Sequence, residues 1–147
     1  MSSFLAEFIG TALLIVFGAG VVANVVLNKT KGQNSGWIVI TFGWAMAVFV
    51  GVYASTTLGG HGHLNPAISI ALAVFSDFDS SLLGIYIAAQ FAGAFTGAVV
   101  AWFAYKQHFD ETTDPAAQLA VFSTGPAIRN AVYNTITEIV STFVLVF

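Results

Sequence analysis

Apolar residues run through this chain in long unbroken blocks, and the lengths of the blocks decide its class. Four blocks, residues 4–27, 37–58, 81–105 and 131–147, are long enough to cross or nearly cross a hydrocarbon core about 30 Å thick. Each is predicted to be helical, because a helix satisfies its backbone polar groups within one segment. A polar turn at 28–36 separates the first two. A longer loop at 106–130, carrying Asp110, Glu111, Asp114, Pro115 and Pro126, precedes the last. The fourth block stops on Val144-Leu145-Val146-Phe147 without a polar anchor or a helix-stop residue, which reads as a helix cut midway.

A fifth block is too short to span. In the run His61-Gly62-His63-Leu64-Asn65-Pro66-Ala67, Asn65 is a favoured N-cap and Pro66 suits the first helical position, where its missing N–H costs nothing. The helix predicted over 66–75 is bounded by Asp77 and Asp79. At 1.5 Å per residue it is about 14 Å long, roughly half a bilayer. An ordinary helix cap is the bland alternative. A capped half-span in an apolar chain points instead to a re-entrant helix lining a pore or binding site near the membrane midplane.

Composition agrees with the block lengths. With 57% hydrophobic and 7% charged residues, the chain is predicted to be an all-α integral membrane protein. Four Lys and Arg against seven Asp and Glu leave no basic footprint for nucleic acid, so no nucleic-acid partner is expected. Zero cysteines exclude disulfides and thiolate chemistry. Residues 4–27 lack a basic leading region and run too long for a signal-peptide core, so they read as a retained span.

Residues 6–14 and 137–145 align at a constant offset of 131, which pairs Glu7 with Glu138, Thr11 with Thr142 and Leu14 with Leu145. An intramembrane Glu is rare enough to give the match weight. The expected organisation is one repeat over residues 1–130, with three spans and the half-helix, followed at 131–147 by the opening helix of a second. Three spans in the first repeat make the second enter from the opposite side, an inverted repeat. Small residues at four-residue spacing, Ala89, Gly93, Gly97 and Ala101 and likewise Gly43, Ala47 and Gly51, mark the faces where helix backbones approach.

These pieces together resemble the major intrinsic protein (aquaporin) family, and its glycerol facilitators in particular. The likeness rests on His63-Leu64-Asn65-Pro66-Ala67, the opening Ala6-Glu7-Phe8-Ile9-Gly10-Thr11, the run Gln90-Phe91-Ala92-Gly93-Ala94-Phe95, and Phe122-Ser123-Thr124 before Pro126. It covers essentially the whole chain. The family fold implied has six spans and two half-helices, forms homotetramers with one pore per subunit, and lies in the cell membrane. This chain corresponds to its first half. A second Asn-Pro-Ala and the filter Arg are not among the 147 residues, and Gly60-His61-Gly62-His63 stands where the family more often has Ser-Gly-Ala-His.

The resemblance implies a passive channel for glycerol and other small neutral solutes, with water. Asn65, Pro66 and Ala67 form its signature motif, and Asn65 is the donor at the positive end of the half-helix. The backbone from His61 through Gly62 to His63 is the expected ladder of acceptors, Gly62 permitting its shape. Trp44 falls at the aromatic position of the filter, where an indole face suits a polyol's carbons, and Val48 lines the pore one turn further in. Glu7 and Glu138 cost about 3 kcal/mol each at the membrane centre unless paired, and the family reading has each accept hydrogen bonds from a re-entrant loop. A headgroup-level position is their alternative, as a lipid-facing or belt position is for Trp44. Gln90 is expected to make an interhelical hydrogen bond.

No cofactor and no metal are expected, since His61 and His63 have no Cys, Asp or Glu beside them to complete a tetrahedral set. No nucleophile triad, carboxylate pair or phosphate-cradling loop is present, so an enzyme is not expected. The family orientation puts Lys29, Lys31, Lys106 and Arg129 outside, against the positive-inside tendency. The rival readings are a water-selective aquaporin, a broken-helix secondary transporter and a non-conducting fragment.

Overall fold

A computed structural model describes residues 2–147, and among them the only regular structure is helical. Helix α1 spans Ser3–Val26, α2 Trp37–Thr57, α3 Pro66–Phe75, α4 Leu83–Ala104, α5 Lys106–Glu111, α6 Pro115–Ala120 and α7 Ala131–Val146, with one 3₁₀ turn at Ser80–Leu82. Three helical stretches, Ser3–Val26, Trp37–Thr57 and Ser80–Ala104, are long and apolar enough to cross a membrane.

Helix α1 is the axis of the bundle, packing along most of its length on α2 and α4. Small residues allow this. Gly93 and Gly97 of α4 lie so close to the Phe8 and Ala12 carbonyl oxygens of α1 that any Cβ there would collide with them. Ala6, Ala23 and Ala89 are completely buried. In lipid, where apolar faces gain nothing by leaving the solvent, such close backbone contact supplies the dispersion that holds helices together. Helices α3 and α7 sit apart from this core, α3 against α4 and α7 against α3 alone among the principal contacts.

The stretch 106–130, expected as a loop, contains α5 and α6. Asp114 caps α6 by accepting the Ala116 N–H at 2.9 Å, with Pro115 in the first turn. Gln118 Nε2 donates to the carbonyls of Phe109 at 3.1 Å and Thr112 at 2.7 Å. These bonds fold the segment over the end of the bundle, where Phe109 and Val121 join Ala19, Ala23, Leu27 and Ala101 in a buried cluster. Asn28 donates its N–H to Thr112 Oγ1 at 2.9 Å, and Lys29 pairs with Glu111 at 2.5 Å, so the 28–36 turn is tied to α5. The expected helix start near Ser81 is a 3₁₀ turn instead, because Asp79 accepts the Ser81 N–H at 2.9 Å and holds the chain in a tighter turn before α4.

Candidate functional site

Between α2 and α3 the chain passes through the bundle as irregular backbone, and every polar group it brings there needs a partner. Glu7, completely buried on α1, supplies the partner for two of them. Its Oε1 accepts the His63 N–H at 3.0 Å and the Ser55 hydroxyl at 3.2 Å; its Oε2 accepts the Leu64 N–H at 2.8 Å and Gln90 Nε2 at 3.1 Å. Each carboxylate oxygen therefore takes two donors, which is how a charge can be kept out of water.

The network continues in one direction. Gln90 Nε2 also donates to Ser69 Oγ at 2.9 Å, and Ser69 Oγ lies 3.1 Å from His63 Nδ1. Because Glu7 requires a donor from Gln90, the amide orientation is fixed, and Ser69 Oγ accepts from Gln90 while sharing one hydrogen with His63 Nδ1. The chain of contacts runs through α1, α2, the loop, α3 and α4, so one buried carboxylate ties five segments together.

Asn65 opens α3 in extended backbone, φ −149° and ψ 125°, and its Oδ1 accepts the Ala67 N–H at 2.9 Å. With the oxygen engaged in the cap, the Asn65 Nδ2 hydrogens remain for a ligand. A cavity of about 460 Å³ lies before it, and Trp44, Val48, Val52, Gly62, His63 and Asn65 are among its walls. A second cavity of about 390 Å³ shares Trp44 and is walled by Phe122, Ser123 and Thr124 from the outer segment. The indole of Trp44 lies over Gly18, and Trp44, Ile15 and Ala94 line both cavities.

Pro66 and Gln90 line the first cavity as well, whereas His61 and Glu138 fall elsewhere. His61 does not line the 460 Å³ cavity; it is exposed, pairs through Nδ1 with the Tyr86 hydroxyl and meets Phe78 edge-on at 5.8 Å between ring centroids. The His61 and His63 rings are 5.8 Å apart, and among the described residues no group of three or more His, Cys, Asp or Glu side chains could hold a metal ion. Glu138 is exposed on α7 and accepts no hydrogen bond among the described residues. It walls a groove of about 970 Å³ between α3 and α7. The re-entrant loop that the described residues contain is already held by Glu7.

Sequence reasoning did not single out Ser55, Leu64, Ser69 or Tyr86. Ser69 had a visible signal, a lone hydroxyl in the apolar run Pro66–Phe75. Leu64 had none, since its conformation, φ +52°, is unusual for a residue with a Cβ and costs about 1–2 kcal/mol.

The sequence profile described as major intrinsic protein matches residues 1–147. The probable glycerol uptake facilitator protein of Thermotoga maritima is 54% identical over 145 residues, covering 99% of this chain and 62% of that protein. The glycerol uptake facilitator protein of Bacillus subtilis is 50% identical over 146 residues, covering 99% and 53% respectively. One from Streptococcus pneumoniae is 49% identical over 146 residues, with 99% and 62% covered. The chain thus spans between half and two thirds of the length of these relatives.

Proposed function

The chain belongs to the major intrinsic protein family, and from that premise we propose that it contributes the first half of a passive channel for glycerol and other small neutral solutes, with water. Its long apolar helices make it a multi-pass membrane protein. The observation that carries the reading is the single cavity in which Trp44, Val48, Gly62, His63 and Asn65 meet, backed by the carboxylate of Glu7. The names of its relatives, glycerol uptake facilitators, support the same solute.

In this reading the solute is moved without covalent change. Asn65 Nδ2 donates to its oxygen, while the positive end of α3 at the same point, worth about half an elementary charge, repels protons and cations. The indole of Trp44 meets the carbon side of a polyol. The loop backbone around Gly62 and His63 offers acceptors, because its N–H groups at 63 and 64 are already turned to Glu7. Residues 1–130 are the first repeat and 131–147 the start of the second; Glu138 then props a second loop as Glu7 props the first. The assembled channel is a homotetramer in the cell membrane, with the Lys29 and Lys106 end outside.

The test is glycerol flux into vesicles holding the protein as its host makes it, followed by light scattering. Asn65→Asp keeps the cap acceptor but replaces the amide donor by an anion. Fast, non-saturating flux that falls at least about tenfold in this variant, a loss of roughly 1.4 kcal/mol or more of barrier lowering, supports the reading. Flux no faster than through empty vesicles, from folded protein, sinks it. Saturable uptake that follows an ion gradient would favour a transporter.

A further inference from the structure

We propose that Leu64 is a positioning residue for the re-entrant loop, its side chain locking the backbone between His63 and Asn65 and so setting how well a polyol passes relative to water. The proposal rests on the channel reading above.

Among the described residues three that are not glycine have positive φ, and two of them, Lys29 and Asn34, are exposed in the polar 28–36 turn. Leu64 is the third, and it is buried at 6% exposure. A branched apolar side chain in the left-handed region is disfavoured by its own Cβ, so the surroundings must hold it there. Glycine takes the same region freely, as Gly62 does two residues earlier at φ +70°. A leucine at 64 is therefore explained by what its side chain does.

The side chain fills a socket formed by two missing side chains. A Cβ on Gly10 of α1 would lie 2.7 Å from Leu64 Cδ2, and a Cβ on Gly51 of α2 would lie 2.9 Å from Leu64 Cδ1. The same two glycines let the α1 and α2 backbones meet, since a Cβ on either would lie 2.8 Å from the other's carbonyl oxygen. The Leu64 methyls thus sit at this close crossing of the helices, while the Leu64 N–H is held by Glu7 Oε2 at 2.8 Å. Two methyls and one hydrogen bond fix the residue at three points. Because φ at 64 sets the peptide plane before it against the plane after it, this fixing sets the His63 acceptor side relative to the Asn65 amide. Glycerol must meet both sides at once with several hydroxyls. Water needs them one at a time, so its passage is less sensitive to their register.

The experiment measures glycerol and water permeability per folded molecule, using the protein as its host makes it in vesicles, for wild type, Leu64→Ala, Leu64→Asn and Leu64→Met. Asparagine tolerates the left-handed conformation but carries no methyl for the socket; methionine refills it. The expected result is a glycerol-to-water ratio reduced roughly fivefold or more in the Ala and Asn variants, with much of it recovered in Met. Amide exchange of residues 61–66 is read alongside and should accelerate in Ala and Asn while α1 and α2 keep their protection.

A merely structural role would lower both permeabilities together and leave the ratio unchanged, which would overturn the proposal. So would an Asn variant that behaves as wild type, since backbone propensity would then suffice. Wild-type vesicles that do not pass glycerol would overturn the channel reading instead. In that case the exchange data still decide the lock, which fails if residues 61–66 are as protected in Leu64→Ala as in wild type.

Discussion

The substitution Glu7→Gln changes little in size but removes one of the two acceptor oxygens on which the site is built. The carboxylate accepts four hydrogen bonds, two at each oxygen, from His63 N, Ser55 Oγ, Leu64 N and Gln90 Nε2. A glutamine offers one acceptor oxygen. If that oxygen keeps His63 and Ser55, the new NH₂ faces the Leu64 N–H and the Gln90 NH₂, donor against donor. Gln90 can turn over, since its Oε1 is buried and without a partner among the described residues, and then accept from the new amide. No such escape exists for the Leu64 N–H, which is main chain and is left buried without an acceptor. An orphaned buried donor costs about 1–3 kcal/mol, and charge-assisted bonds exchanged for neutral ones cost roughly another 1 kcal/mol. Not having to desolvate a charge offsets part of this. The net expectation is a loss of about 1–3 kcal/mol, measured by denaturant unfolding in micelles, with faster amide exchange at His63 and Leu64. Glycerol flux should fall with it. Unfolding and flux equal to wild type would refute the argument that this carboxylate holds the loop.

Further tests address other parts of the structure. Trp44→Ala removes the largest side chain that lines both cavities, so glycerol-to-water selectivity in vesicle flux should drop while water permeability rises. Phe109→Ala empties part of the buried cluster under α5 and α6 and should cost about 3–4 kcal/mol, read by unfolding, with proteolysis of 106–126 becoming faster. Asp114→Ala removes the cap of α6 and should cost about 1 kcal/mol by the same measure. Hydrogen bonds from Ser81 hold the Asp79 carboxyl below its ordinary range, so the group supports the turn above the usual carboxylate pKa and loses that support as pH falls through its lowered value. The protection of amides 80–83 relative to their intrinsic exchange rate should fall on acidification in wild type and show no such step in Asp79→Asn.

The fold was legible where a single length decided it. Blocks of twenty or more apolar residues can only be spans, and the Asn65-Pro66 start with Asp77 and Asp79 beyond it bounds a half-span, the helix Pro66–Phe75. The folding of 106–130 was not legible, because α5 and α6 are six residues each, too short for a periodic signal. They depend instead on long-range bonds such as Asn28 to Thr112. Within the site, Asn65 was marked by its place before Pro66 at the start of a half-span, and Trp44 only by the family resemblance. Leu64 could not, since its role comes from a backbone angle and from two glycines on other helices, Gly10 and Gly51, that look like ordinary packing residues. The place of the His61 ring, against Tyr86 and Phe78, was not legible either, since those partners come from distant parts of the chain and the expectation for His61 concerned its backbone carbonyl.

A buried carboxylate behind a pore poses a problem for a channel that is to pass neutral solutes, because an uncompensated negative charge draws cations to the narrowest point. Two features answer it on the proposed reading. All the strong acceptor positions of Glu7 are turned to the loop, to Ser55 and to Gln90, so the charge is spent on fixed donors behind the wall of the cavity. The N-terminus of α3 then presents its partial positive charge, together with the Asn65 amide, on the cavity side. Loop backbone lies between the two. The same N–H groups that satisfy Glu7 cannot also face the solute, so the loop turns its acceptors toward the cavity and leaves donation to Asn65. One acid on the first helix thereby fixes both the shape of the loop and the polarity of its two faces.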